Sequence, residues 1–190
     1  MADYAKAADA YSRSDLYLPN TFWTLRRLAF CQRRLGDAAK ALEAYAACEK
    51  LQPDNFKILL QEGHCLVELK RYKEAIEIYF RADNLQPDDV TCRRAVAWCY
   101  LLDSQFNKSL NQYKKLTAAA SHRADWLNMA HAYLLLGQHE RALACYRHCL
   151  ALYESSADFF AALAADAPTL TALGLPSAAI FTLTEALKLA

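Results

Sequence analysis

Apolar residues recur at helical spacing along the whole chain, and short polar breaks interrupt them at regular intervals. Between Phe56 and Pro87, one apolar segment precedes a break at Lys70 and Arg71, and a second apolar segment follows it. Apolar residues three and four positions apart lie on one face of a helix, so each segment predicts an amphipathic helix. Two such helices joined by a two-residue break predict a helical hairpin.

The hairpin pattern repeats with a period of 34 residues, marked by Pro19, Pro53 and Pro87 and by tyrosines at the same interval. A fixed period of this length is typical of a solenoid in which one supersecondary unit is copied along the chain. We therefore predict a single all-α domain over 1–190, an α-solenoid of antiparallel helical hairpins. Its predicted parts are a half repeat at 1–19, full repeats at 20–53, 54–87, 88–121 and 122–154, and an irregular C-terminal hairpin at 155–190.

The two ends depart from the regular repeat. The first residues match only the second helix of a hairpin, which favours a fragment of a longer polypeptide because half a hairpin cannot bury both packing faces. Near the other end, Pro168 predicts a kink, or a break with Asp166 capping a new turn. The final helix, near 177–188, carries Ile180 and Phe181 and few charges, so we expect self-association or further chain to cover it.

Charge and hydropathy exclude several classes of partner. The formal net charge is +1, which provides no overall field toward nucleic acid or an anionic membrane. No apolar run approaches the roughly 18 residues of a membrane span, and the first residues lack a secretory signal pattern. We therefore predict a soluble, cytoplasmic protein that binds neither nucleic acid nor membranes.

Seven cysteines raise the question of disulfides or a metal. Cys31, Cys65 and Cys99 occupy one position of successive repeats, which a small residue buried in helix packing explains. An odd count without a CxxC motif favours reduced thiols. Cys145 and Cys149 with His148 could offer three zinc ligands, but no nearby loop supplies an obvious fourth, so we predict no metal.

The best-defined repeats resemble the tetratricopeptide repeat. The resemblance is carried by Trp126, Met129, Ala130, Tyr133, Ala142 and Tyr146, and in the preceding region by Leu59, Gly63, Leu66, Ala75, Tyr79 and Pro87. It implies a right-handed superhelix with small residues between paired helices and large ones between repeats. Nine tyrosines fall on these repeat positions and are predicted to be core: Tyr4, Tyr11, Tyr45, Tyr72, Tyr79, Tyr100, Tyr113, Tyr133 and Tyr146.

The resemblance also implies a concave wall, lined by the first helix of each repeat, that binds extended or helical peptides. Four arginines and no acidic residue in the helix near 21–35 favour an acidic ligand, although a solvated basic face is the alternative. The carboxylate clamp that some members of this family use for chaperone tails is absent. The predicted groove residues are Trp23, Arg26, Arg27, Phe30, Arg33, Lys57, Gln61, His64, Arg94, Trp98, Leu101, Asn128 and His131.

These observations favour a non-catalytic protein-interaction module that binds a peptide or partner helix. The alternatives are a scaffold that self-assembles through its apolar ends, giving a homo-oligomer, and a chaperone-like holder of an apolar client segment. The sequence contains no recognisable Ser-His-Asp arrangement, glycine-rich phosphate loop or zinc pattern. We therefore predict no enzymatic activity and no cofactor.

Overall fold

The structure is a computed structural model that describes residues 2–17, 21–120 and 122–188. These residues form eleven α-helices and no strand, so the predicted all-α class is confirmed. The helices are α1 (Ala2–Tyr17), α2 (Phe22–Arg34), α3 (Ala38–Leu51), α4 (Phe56–Glu68), α5 (Tyr72–Leu85), α6 (Thr91–Leu102), α7 (Phe106–Ala119), α8 (Arg123–Leu135), α9 (His139–Ala151), α10 (Ser156–Ala172) and α11 (Ser177–Lys188).

The chain divides into two compact units, an N-terminal unit (Met1–Ala95) and a C-terminal unit (Val96–Ala190). The boundary falls within α6. In the N-terminal unit each helix from α1 to α5 packs against the next, and in the C-terminal unit α8 packs against α7 and α9. Consecutive antiparallel hairpins therefore build each unit, whereas the single-domain organisation stays a prediction.

The helices end at the polar breaks because these positions adopt a left-handed backbone. Gly36 has a φ of 86° and Gly137 a φ of 72°, while Lys70 and Ser104 have φ values of 59° and 57°. A left-handed residue terminates a helix and reverses the chain, and glycine takes that conformation without steric cost. After Gly36 the next helix begins with a side-chain cap, because Asp37 Oδ1 accepts from Lys40 N at 3.1 Å, whereas α5, α7 and α9 begin without a side-chain cap hydrogen bond. The predicted positions of the breaks are confirmed.

The tyrosine ladder of the repeats lies in the core. Tyr45, Tyr79, Tyr113 and Tyr146 are each at most 1% exposed, so the prediction that they fill the space between helices is confirmed. The Tyr79 ring packs directly against Gly63 on the first helix of its own hairpin, and the first helix of each full repeat carries Ala or Gly at this position. These small residues are Ala29, Gly63, Ala97 and Ala130. Of the other five tyrosines, Tyr133 is buried and Tyr4, Tyr11, Tyr72 and Tyr100 are half-buried.

Two expectations at the chain ends have different outcomes. Helix α10 continues through Pro168, so a break there is wrong, whereas the alternative expectation of a kink stays a prediction. Asp166 caps no new turn there and instead accepts a hydrogen bond from His131 Nε2 at 3.1 Å. Pro19, which marked the first repeat boundary, lies outside the described residues.

All seven cysteines are buried and form no disulfide. Burial raises the pKa of every thiol above its ordinary value, to about 12 for Cys65, Cys99 and Cys149. A thiol held in its protonated form is a poor nucleophile and metal ligand. The cysteines therefore serve as small packing residues.

Candidate partner-binding site

Helices α2 and α4 of the N-terminal unit form an open recess of about 350 Å³, here called the α2–α4 recess. These are the first helices of two successive hairpins, which is where the sequence predicts the partner-binding wall. The residues that line it are Arg26, Arg27, Phe30, Tyr45, Lys57, Ile58, Leu60 and Gln61. Five of them were predicted as groove residues from the sequence.

The walls of the α2–α4 recess are largely apolar. Ile58 and Tyr45 belong to the hydrophobic core of the N-terminal unit, and Leu60 is half-buried. Phe30 is 45% exposed, although its ring also contacts the Tyr4 ring edge-on with centroids 6.0 Å apart. A partly exposed aromatic ring above buried aliphatic residues provides a surface that gains free energy when a partner covers it.

Three cations surround this apolar surface. Arg27 and Lys57 are exposed, and Arg26 is half-buried with its guanidinium 4.6 Å from the centroid of the Trp23 ring. Among the described residues, no acidic side chain forms an ion pair with Arg26, Arg27 or Lys57. These charges are consequently available to an anionic partner.

Arg33 differs from these three because it is already engaged. Its Nε donates to Glu68 Oε1 at 2.8 Å and its Nη1 donates to Gln61 Oε1 at 2.8 Å. This bridge ties α2 to α4 and fixes the amide of Gln61, which lines the recess. Arg33 and Gln61 were both predicted as groove residues, and the structure places them in contact with each other.

His64 lies beside the recess residues on α4 and is tied to the tyrosine ladder. Its Nδ1 shares a hydrogen bond of 2.7 Å with the Tyr79 hydroxyl. Burial, with a smaller contribution from the charge of Arg33, lowers the pKa of His64 to about 4. The imidazole is therefore neutral at physiological pH and adds no charge to the basic rim.

Trp23 supplies the most exposed aromatic surface of α2. The side chain is 64% exposed, although one neighbour, the Arg26 guanidinium, lies over its ring. Arg34 similarly lies over the Tyr4 ring at 5.4 Å. Exposed Trp and Arg side chains are the types that contribute most binding free energy at protein interfaces.

The remaining predicted groove residues lie outside the recess. Arg94 belongs to the N-terminal unit and is half-buried, and Trp98 and Asn128 of the C-terminal unit are half-buried too. Leu101 is fully buried, so its placement on an accessible wall is wrong. It follows the buried Ala97 by four positions and so shares the core face of α6.

His131 is also fully buried, which corrects its predicted place on an accessible wall. Its Nε2 donates to Asp166 Oδ2 at 3.1 Å, which leaves Nδ1 to accept from the Tyr146 hydroxyl at 2.6 Å. Asp166 lies on α10, so this helix covers the face of α8 that the sequence assigned to the groove. Both ring nitrogens have protein partners, and His131 acts as a structural link.

Sequence reasoning missed two features of the site. Ile58 and Tyr45 contribute to the recess from the core, and nothing in the repeat pattern separates a core residue that borders an opening from one that does not. The Arg33 to Glu68 ion pair spans 35 residues, about one repeat, so a search for opposite charges one period apart would have found it.

The chemistry available to the α2–α4 recess is binding. Its polar groups are Arg26, Arg27, Lys57 and the fixed Gln61 amide, together with the buried Tyr45 hydroxyl, whose pKa burial raises to about 12. Arginine and lysine remain protonated at neutral pH and attract anions. Within the described part of the chain, no helix is both long and apolar enough to cross a membrane.

A protein of stacked helical hairpins with a basic, partly apolar recess between two first helices belongs to the class of α-helical repeat proteins. Models of the tetratricopeptide repeat match residues 32–99 and 126–156, together about half of the chain. The chain belongs to the tetratricopeptide repeat family, as the sequence resemblance implied.

Solved structures agree on the fold. TTC0263, a thermophilic tetratricopeptide repeat protein in Thermus thermophilus, is 21% identical with a TM-score of 0.66, covering 85% of this chain and 89% of that chain. MamA 41-end from Desulfovibrio magneticus RS-1 is 18% identical with a TM-score of 0.72, covering 78% of this chain and 85% of that one. No curated protein matches.

Proposed function

We propose that this protein is a non-catalytic interaction module that binds an acidic segment of a partner protein at the α2–α4 recess. The family and the fold support a role in protein interaction or scaffolding. The observation that carries the finer proposal is the set of three unpaired cations around an apolar recess. An acidic segment would neutralise these charges, which in the free protein repel one another.

The proposal is tested by reversing charge at the recess rim. Arg27→Glu with Lys57→Glu should abolish capture of the specific partner from a native lysate, compared by quantitative mass spectrometry with the unmodified protein. Lys50→Glu with Lys73→Glu is the matched control. It makes the same change in net charge at exposed positions on the second helices α3 and α5.

The two double variants must give different results if the recess is the site. Loss of the same captured proteins from only the Arg27 and Lys57 variant supports the proposal. Equal retention by both variants would overturn it, and equal loss from both would assign the capture to unspecific charge attraction.

Self-association is a second candidate, and one observation favours it. Helices α10 and α11 form an open apolar recess that includes Phe160, Ile180 and Phe181, and Phe181 is 68% exposed. Exposed apolar surface of this kind is typical of interfaces. Light scattering over a concentration series should then give a mass above that of a monomer for the unmodified chain and the mass of a monomer for Phe181→Glu. A monomeric mass of the unmodified chain at all concentrations would contradict self-association.

Beyond binding, we propose a cytoplasmic protein with no catalytic role. The composition of the recess supports the second point, because guanidinium, ammonium and amide groups are suited to holding an anionic partner. A holder of apolar client segments would use the region of Leu101, Leu102, Leu134 and Leu135, where Leu101 and Leu134 are buried and Leu102 and Leu135 are half-buried. That region therefore supports a binding role less well than the α2–α4 recess of the N-terminal unit does.

A further inference from the structure

We infer that the α2–α4 recess recognises one large apolar side chain of the partner, flanked on both sides by carboxylates. This inference rests on the proposed function and specifies the chemistry of the segment that binds. If charge alone determined binding, the affinity of a segment would depend only on its number of acidic residues. The contacts of the recess indicate a second requirement.

The first argument is the composition of the recess. The apolar lining of the recess consists of the exposed Phe30, the half-buried Leu60 and the buried Ile58, beside the cations. Apolar surface in a concave site gains more from contact with an apolar group than from water, which finds few polar partners there. A partner segment that contains only acidic residues would leave this apolar surface exposed to water.

The second argument is size. A volume of about 350 Å³ is at the lower end of the range of about 300 to 1,000 Å³ typical of ligand sites. It accommodates one large side chain together with its backbone, and it is too small for the row of side chains at i, i+3, i+4 and i+7 that a bound amphipathic helix presents. The structure therefore favours an extended segment with a single apolar anchor.

The third argument is the placement of the charges. Arg26 and Arg27 belong to α2, and Lys57 belongs to α4, so cations lie on both helices that border the apolar surface. The guanidinium of Arg26 is also held against the Trp23 ring, which reduces the entropy that it loses on binding. Carboxylates on both sides of the anchor would each meet a cation.

The experiment uses two synthetic peptides and the full chain. In the first, one leucine is flanked by three glutamates on each side. In the second, glycine replaces the leucine and the charges are identical. Fluorescence anisotropy at fixed salt should give a dissociation constant about tenfold lower for the leucine peptide, since burial of one leucine contributes more than its ordering costs.

Variants of the recess locate the effect. Leu60→Ala should remove most of the preference for the leucine peptide over the glycine peptide. Leu85→Ala, at an exposed leucine on α5, is the matched control and should retain the preference. Thermal unfolding of both variants checks that they fold, and the comparison of the two peptides on the unmodified chain stands without them.

Each outcome decides the inference. A tenfold preference that depends on Leu60 supports it. Equal affinity for the two peptides, or a preference that survives Leu60→Ala, overturns it but leaves the proposed function intact. Binding of neither peptide also overturns it, and the charge-reversal capture experiment then decides the proposed function separately.

Discussion

At Gly63, paired helices approach so closely that a side chain cannot be accommodated. A Cβ atom there would lie 2.4 Å from Cε1 of the Tyr79 ring, well inside contact distance. The corresponding residues of the other repeats are alanines, Ala29, Ala97 and Ala130. The preference for glycine at this position is therefore a local consequence of how Tyr79 packs.

We predict that Gly63→Ala lowers the free energy of unfolding by about 1–3 kcal/mol, the usual cost of overpacking. Urea denaturation measures the change. In a Tyr79→Leu background the ring is absent, so the same substitution should cost nothing or stabilise, because alanine favours a helix by about 1 kcal/mol over glycine. An equal cost in both backgrounds would contradict the role of the Tyr79 ring.

Glu62 is a buried carboxyl in the N-terminal unit, only 3% exposed, and its Oε1 has no hydrogen-bond partner in the described part of the chain. Burial, then the charge of Glu49 and a hydrogen bond with it, raises the pKa of Glu62 to about 7, while the charge of Arg81 opposes this. Arg81 also forms an ion pair with Glu49. Glu62 therefore keeps its proton in the folded protein under mildly acidic conditions.

We predict that the contribution of Glu62 to stability falls as the pH rises from about 4.5 to about 7, whereas the lowered pKa of His64 raises stability between about pH 4 and 6.5. In this interval unfolded Glu62 has lost its proton and folded Glu62 retains it, so deprotonation favours the unfolded chain, and above about pH 7 the penalty is constant. Urea denaturation at several pH values measures the slope. The free energy of unfolding of Glu62→Gln should rise relative to that of the unmodified chain between about pH 4.5 and 7, and a difference that does not change with pH would contradict the prediction.

At the scale of elements, helix α10 shows where the repeat pattern ceases to determine the structure. The positions of the helix breaks follow from local chemistry, since each break carries a glycine or a polar residue in the left-handed conformation that ends a helix. They could be predicted from the sequence. The packing of α10 on α8 depends on the contact between His131 and Asp166, which are 35 residues apart. Asp166 belongs to the irregular C-terminal hairpin, so this packing could not be predicted from the repeat pattern.

The same contrast explains the outcome for the candidate site. Trp23, Phe30 and Lys57 on α2 and α4 of the regular repeats are exposed, and their role in binding stays a prediction. His131 occupies the same repeat position as His64, yet it is buried because α10 covers it. A repeat position therefore predicts the direction of a side chain better than its exposure.

We predict that His131→Phe loosens α10. The substitution leaves the buried Tyr146 hydroxyl without its imidazole partner and removes the contact to Asp166, at a cost of about 1–3 kcal/mol. Relative to the unmodified chain, amide hydrogen exchange in the variant should become faster in α10 and should change less in α7. His64→Phe, which removes the equivalent imidazole in the N-terminal unit, is the control and should leave exchange in α10 unchanged. Unchanged exchange in α10 of His131→Phe would contradict the prediction.

At the scale of the whole molecule, net charge conceals how charge is distributed. The chain carries 22 basic and 21 acidic residues, yet α2 alone holds four arginines and no acidic residue. A formal charge of +1 argues against a general attraction to polyanions, and the unpaired cations at the α2–α4 recess favour a short, local acidic segment instead. We therefore expect the affinity for a partner to depend on the few residues of this chain that line the α2–α4 recess.

The most direct test of the proposed site is site-specific photocrosslinking at two phenylalanines of equal exposure. Phe30 in the α2–α4 recess is 45% exposed, and Phe80 on α5 is 44% exposed. A photoreactive phenylalanine analogue at position 30 should form adducts with a partner protein that excess glutamate-flanked leucine peptide suppresses, and at position 80 it should form none. Adducts of equal yield at both positions, or only at position 80, would contradict the placement of the site.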